Sequence, residues 1–176
     1  MLQFWKYCLE SPDKILKKKP LSLLFALVLI FSCSAQSSAD LSKLTPLDAE
    51  LSTVTYPFPV TIKKLKNQGQ DLKMAYMDAK PTQWNGKTIL LLHGKNFNGY
   101  YFESTAKALN KEGFRVVMPD QIGFGKSSKP KQYQFSFHQL AENTKSIMDD
   151  LGIEKFMVLG HSMGGMLASR MALMYP

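Results

Sequence analysis

The stretch Phe156-Met157-Val158-Leu159-Gly160-His161-Ser162-Met163-Gly164-Gly165 decides the fold. The unbroken apolar run Phe156–Leu159 predicts a strand buried on both faces. Met163–Tyr175, rich in Ala, Met and Leu, predicts a helix immediately behind it. Between them lies G-x-S-x-G in a strand–turn–helix setting. A turn this tight leaves no room for side chains at Gly160 and Gly164. Ser162 must take a strained backbone state that lifts its hydroxyl clear of the sheet. The helix N-terminus behind it offers unpaired N–H groups and a positive dipole end, which favour developing negative charge. A bare G-x-S-x-G arises by chance in roughly one chain of this length in twenty, so the flanking elements carry much of the weight. A dinucleotide-binding turn would need G-x-G-x-x-G and an acidic residue about 20 positions on; neither is present.

Two upstream segments repeat the pattern of apolar strand followed by a glycine-bearing loop. Thr88–Leu92 (TILLL) leads into His93-Gly94-Lys95-Asn96-Phe97, and Phe114–Met118 (FRVVM) leads into Asp120-Gln121-Ile122-Gly123-Phe124-Gly125-Lys126-Ser127-Ser128-Lys129-Pro130. The first loop can set a backbone N–H opposite Ser162. A substrate oxyanion would then lie between that N–H and the N–H of Met163. Lys95 is the first choice for the donor and Asn96 the second. His93 reads as a structural histidine bonded to loop backbone, and Asp120 as a brace for its own loop.

Strands alternating with helices predict an α/β architecture, a mostly parallel sheet with helices on both faces. Phe102–Glu112 places Phe102, Ala106 and Leu109 on one helical face, ended by Gly113. Ser136 and Gln139 form a capping box before the stripe Phe137, Leu140, Ala141, Thr144, Met148 and Leu151. Val60–Lys66 and Leu72–Asp78 alternate as two strands of a hairpin turned at residues 67–71. Residues 40–59, with Pro46, Pro57 and Pro59 and no clear period, read as an extended lead-in to a domain over 60–176.

HGKNF, DQIGFGKSSKP and GHSMGG, in this order and spacing, resemble the α/β-hydrolase superfamily, in its esterase, haloperoxidase and epoxide-hydrolase-like branch. The resemblance covers residues 60–176 and implies that fold's N-terminal half. In the superfamily the nucleophile is followed by an Asp or Glu and then a His. After Ser162 this sequence offers neither, and His93, His138 and His161 all precede or adjoin the serine. The resemblance therefore implies that the acid, the histidine, three further strands and any lid follow Pro176. Strand Phe156–Leu159 would then form an open apolar edge, prone to association. Dehalogenases and epoxide hydrolases of the group carry Asp where this chain has Ser162. The implied chemistry is thus hydrolysis of carboxylic esters or related acyl compounds through an acyl-serine. Acyl transfer and cofactor-free haloperoxidase activity use the same residues and stay open. So does a catalytically inert, hydrolase-like binding protein, because a serine without a base is a poor nucleophile.

Residues 1–39 read as an export signal: a basic block at Lys14, Lys17, Lys18 and Lys19, the apolar run Leu21–Phe31, then small residues. That run is shorter than the roughly 18–20 residues a bilayer requires. Cleavage after Ala39 would release a free exported chain. Ile30-Phe31-Ser32-Cys33 resembles a bacterial lipoprotein signal with Cys33 as the lipid anchor. A tilted membrane anchor is the third reading. The expected location is the bacterial cell envelope, with membrane contact only through this segment. The whole chain of 176 residues carries a net charge of +8. Removing the leader lowers it to +5 without a dense basic run, which argues against nucleic acid as a partner. Two cysteines cannot form a disulfide scaffold or a four-cysteine zinc site. No metal or cofactor is implied; the expected partner is a small acyl substrate.

Overall fold

The computed structural model describes residues 45–176. The segment expected to be an export signal, with Cys33, lies outside the described residues. Among the described residues five strands form one sheet: β1 (Val60–Asn67), β2 (Gln70–Ala79), β3 (Thr88–Leu92), β4 (Arg115–Pro119) and β5 (Met157–Gly160). Their order is β1-β2-β4-β3-β5. β3 pairs in parallel with both β4 and β5, while the β1–β2 hairpin joins β4 antiparallel. The hairpin turns on Gln68 and Gly69, at φ 49° and 72°. Two residues at positive φ suit the right-handed twist of the flanking strands.

Alternate residues of the central strands feed two cores. Leu90 and Leu92 face α2 (Phe137–Asp150) and α3 (Met163–Met174). Ile89 and Leu91 face the opposite side with Phe102 and Ala106. Ala106 lies on α1 (Glu103–Lys111), and Phe102 closes a short 3-10 turn, Gly99–Phe102, in front of it. The helix predicted over Phe102–Glu112 thus begins one residue later, behind a 3-10 turn that the Asn98 side chain caps by accepting from the Tyr100 N–H. α2 begins as its capping box predicts, with Ser136 Oγ accepting the Gln139 N–H at 3.1 Å.

The apolar run Phe156–Leu159 predicts burial on both faces, whereas β5 begins at Met157 and alternates between exposed and half-buried residues, Met157 45% and Leu159 48% exposed, as an open apolar edge would. The reason is position: β5 pairs with β3 on one side and with no strand among the described residues on the other. Within the extended lead-in, Tyr56 is buried, and Val54 and Phe58 pack on the Ile89–Leu91 core. Its prolines hid that packing, since three anchors spaced by two residues are too few to show a period.

Candidate functional site

The C-terminal ends of β3, β4 and β5 lie side by side, so the three loops singled out in the sequence share one sheet edge, where ligands bind in open parallel sheets. β5 passes into α3 through a turn whose centre is Ser162 at φ 54°, ψ −118°. A non-glycine residue there stores about 1–3 kcal/mol and persists only where neighbours over-determine it. They do. The His161 N–H donates to the Leu92 carbonyl at 3.0 Å, the Gly164 N–H to the His161 carbonyl at 2.9 Å, and the Gly165 N–H to the Ser162 carbonyl at 2.8 Å. A Cβ at Gly160 would stand 2.0 Å from the Gly164 carbonyl oxygen, and one at Gly164 2.0 Å from the Leu92 carbonyl oxygen. Both glycines are therefore demanded by backbone packed on backbone. The Ser162 side chain is exposed and makes no capping bond to α3. Its hydroxyl is left free above the helix N-terminus.

The loop after β3 closes on this turn. A Cβ at Gly94 would lie 3.2 Å from Ser162 Cβ and 3.0 Å from His161 Nδ1, so the Gly94 backbone rests against the elbow. The Phe97 N–H donates to the Gly94 carbonyl at 3.2 Å, and Asn96 sits in the left-handed region at φ 66° in the third position of that turn. Lys95 and Met163 line one cavity of about 350 Å3, whose other walls include Phe124, Phe135, Phe137 and Leu140. The structure thus brings Lys95 and Met163 together beside Ser162, while Asn96 does not line that space. The phenylalanine walls were not foreseen; the Phe135-x-Phe137 alternation ahead of the α2 cap was their one signal.

Each histidine is engaged elsewhere. His93 is fully buried; its Nε2 accepts the Gln121 N–H at 2.9 Å, which leaves the ring proton on Nδ1 to donate to the Gly94 carbonyl at 2.8 Å. This ring ties the loop after β3 to the loop after β4. Burial pushes its pKa below the ordinary value of 6.5, opposed by the Gly94 bond and the charge of Asp120. The unfolded chain therefore takes up a proton at higher pH than the folded domain does, so stability is full above about pH 6.5 and falls as the pH drops below it. Urea midpoints at about pH 7.5 and about pH 5.5 should show a larger acid loss for the parent than for His93→Gln; equal losses would mean that His93 is not held neutral. His138 lies exposed on α2, 3.4 Å from Glu142. His161 stacks on Tyr101 at 5.4 Å and meets Phe97 edge-on at 5.7 Å.

Asp120 is the hub behind the site. It is buried, and its carboxylate accepts the Gly99 N–H at 2.6 Å, the Lys126 N–H at 2.7 Å and the Tyr56 hydroxyl at 2.8 Å. Burial and the facing carboxylate push the Tyr56 phenol well above its ordinary pKa, so it remains a donor. Gly125 completes the hub: at φ 53°, a Cβ there would fall 2.1 Å from Asp120 Oδ2. Among the described residues no group of three His, Cys, Asp or Glu could hold a metal ion, and no helix is long and apolar enough to cross a membrane.

A serine at a strained strand–helix turn, with a β3 loop pressed against it at the carboxyl edge of a parallel sheet, defines a hydrolase-type site. The family model for the alpha/beta hydrolase fold matches residues 87–176, just over half the chain, and the chain belongs to that family. It is similar to a probable hydrolytic enzyme of Pseudomonas aeruginosa PAO1 of known structure, at 51% identity and a TM-score of 0.72 over 74% of this chain and 42% of that one. It is 36% identical to an uncharacterized hydrolase of Saccharomyces cerevisiae, over 63% of this chain and 38% of the relative. It is 38% identical to a fluoroacetate dehalogenase of Burkholderia sp, over 52% of this chain and 31% of the relative. The matches thus span between about a third and two fifths of the relatives' own lengths.

Proposed function

We propose that this chain carries the nucleophile and oxyanion-binding parts of a serine hydrolase that acts on carboxylic esters or related acyl compounds. The observation that supports it most is the free Ser162 hydroxyl at φ 54°, ψ −118°, with the Gly94 backbone against it. Ser162 Oγ attacks the acyl carbon; its proton passes to a base and then to the departing alkoxide. Formation of the Oγ–C bond turns the carbonyl into a tetrahedral oxyanion, whose collapse breaks the C–O bond to the alcohol and leaves an acyl-serine; water then adds to the same carbon and releases the acid and the serine hydroxyl. The backbone N–H groups of Lys95 and Met163 take the oxyanion. A serine at this position favours ester chemistry over the reactions named for the dehalogenase relative. None of the three histidines hydrogen-bonds Ser162: His93 bonds Gln121 and Gly94, His138 lies by Glu142 and His161 packs on Tyr101 and Phe97; we therefore assign the base and its acid to polypeptide outside the described residues. An apolar segment behind a lysine block supports export, with or without acylation of Cys33.

The test is fluorophosphonate labelling followed by peptide mapping, on this chain and on the complete gene product that contains it. The expected result is labelling at Ser162 in the complete product, at least about a thousandfold slower in this chain because its base is missing. Absence of label in the complete product, or label on another serine, would overturn the reading.

A further inference from the structure

The cavity beside Ser162 has walls that are already fixed. Phe124 stands edge-on to His93 at 5.5 Å. Phe135 meets Tyr133 edge-on at 4.8 Å and seats its ring over Gly123, where a Cβ would come within 3.2 Å of it. Phe137 and Leu140 close the floor from the first turn of α2. The polar side chains lining the space are Ser136, whose Oγ already holds the Gln139 N–H, and Lys95, which is exposed. A ligand group seated between the phenylalanines therefore gains by being apolar. At about 350 Å3 the space is near the lower end of small-molecule pockets, about 300–1,000 Å3.

The sheet order says which substrate group goes there. Loops after β4 lie on one side of β3, and β5 with its open edge lies on the other. Phe124 and the start of α2 line the cavity on the β4 side, and its lining holds no histidine or carboxylate, so the general base stands outside it. The departing oxygen must face that base, which leaves the acyl chain to point toward β4. We propose that the cavity is the acyl subsite, that it takes an apolar straight-chain or aryl-ended acyl group of short to medium length, and that Phe135 and Leu140 set its length limit. This rests on Ser162 as the nucleophile.

The experiment uses this chain, a methyl ketone with a terminal diazirine as photoprobe, and straight-chain methyl ketones of increasing length as competitors. These bind without any reaction at Ser162, so the outcome is separable from the labelling test above. Crosslinks are expected at Phe124 and within Phe135–Leu140. Competitor potency is expected to rise about two- to fourfold per methylene, the transfer effect of one buried CH2, and then level off. Phe135→Ala, at a residue 51% exposed and thus safe for folding, is expected to weaken the longest competitor about fivefold and leave the shortest unchanged. Ser162→Ala is expected to keep the whole length series. Crosslinks confined to the groove of Phe156, Val158 and Tyr175 beyond β5, or a potency independent of chain length, would overturn the proposal.

Discussion

Gly164→Ala is expected to destabilise the domain by about 4 kcal/mol or more, among the largest effects one methyl group can have. The added Cβ would stand 2.0 Å from the Leu92 carbonyl oxygen and 2.8 Å from that of His93. Both obstacles are backbone, at the end of a central strand, so no side chain can swing away to make room. Relief requires moving β3 or opening the turn. The latter would release Ser162 from φ 54° and break the His161–Leu92 bond. For a domain whose total stability is about 5–15 kcal/mol, such a loss leaves a large unfolded population. The neighbour supplies the control. A Cβ at Gly165 would meet nothing closer than the Gly160 carbonyl oxygen at 3.5 Å, an ordinary contact. Gly165→Ala, inside α3, should be neutral or stabilising by up to about 1 kcal/mol. Urea midpoints of the two variants decide the matter. If Gly164→Ala were no worse than Gly165→Ala, the close approach of α3 to β3 would not exist.

Asp120→Ala is expected to cost about 3–5 kcal/mol, because it strands donors rather than merely removing a bond. The Gly99 and Lys126 amides and the Tyr56 hydroxyl all end on this one buried carboxylate. Deleting it also leaves a void between the 3-10 turn and the loop after β4. Tyr56→Phe removes only one of the three donors and should cost about 1–2 kcal/mol. Asp120→Asn keeps one acceptor oxygen but turns an NH2 toward the other donors, and should fall between them. The predicted order of midpoint losses in urea is Asp120→Ala, Asp120→Asn, Tyr56→Phe. A Tyr56→Phe loss equal to that of Asp120→Ala would mean that the phenol, rather than the carboxylate, organises the hub.

Much of this arrangement was legible in the sequence because its constraints are local. Gly160, Ser162 and Gly164 announce the elbow, since a close backbone approach and a strained turn restrict residue type at each position. TILLL and FRVVM announce buried parallel strands by the absence of alternation, and Ser136 with Gln139 announces the start of α2. Illegible were the features made by distant segments meeting. Tyr56 shows nothing in its own neighbourhood; only the fold brings its hydroxyl to Asp120, 64 positions away. The phenylalanine cavity is likewise assembled from a loop after β4, a segment before α2 and the elbow itself. β5 misled for the opposite reason. Its residues are apolar enough for a central strand, but its exposure is decided by a neighbour on its outer side, which no local pattern encodes.

The central claim is that position 162 stands free on a helix N-terminus, among N–H groups that favour negative charge. Ser162→Cys, made in a chain with Cys8→Ser and Cys33→Ser, tests it directly, since a thiol reports both access and electrostatics without any base. The account predicts that the introduced thiol reacts with a disulfide reagent in the native protein. Its pH profile should be shifted at least about one unit below the ordinary thiol value of about 8.5. A thiol that reacts only after denaturation, or that titrates at the ordinary value, would contradict it.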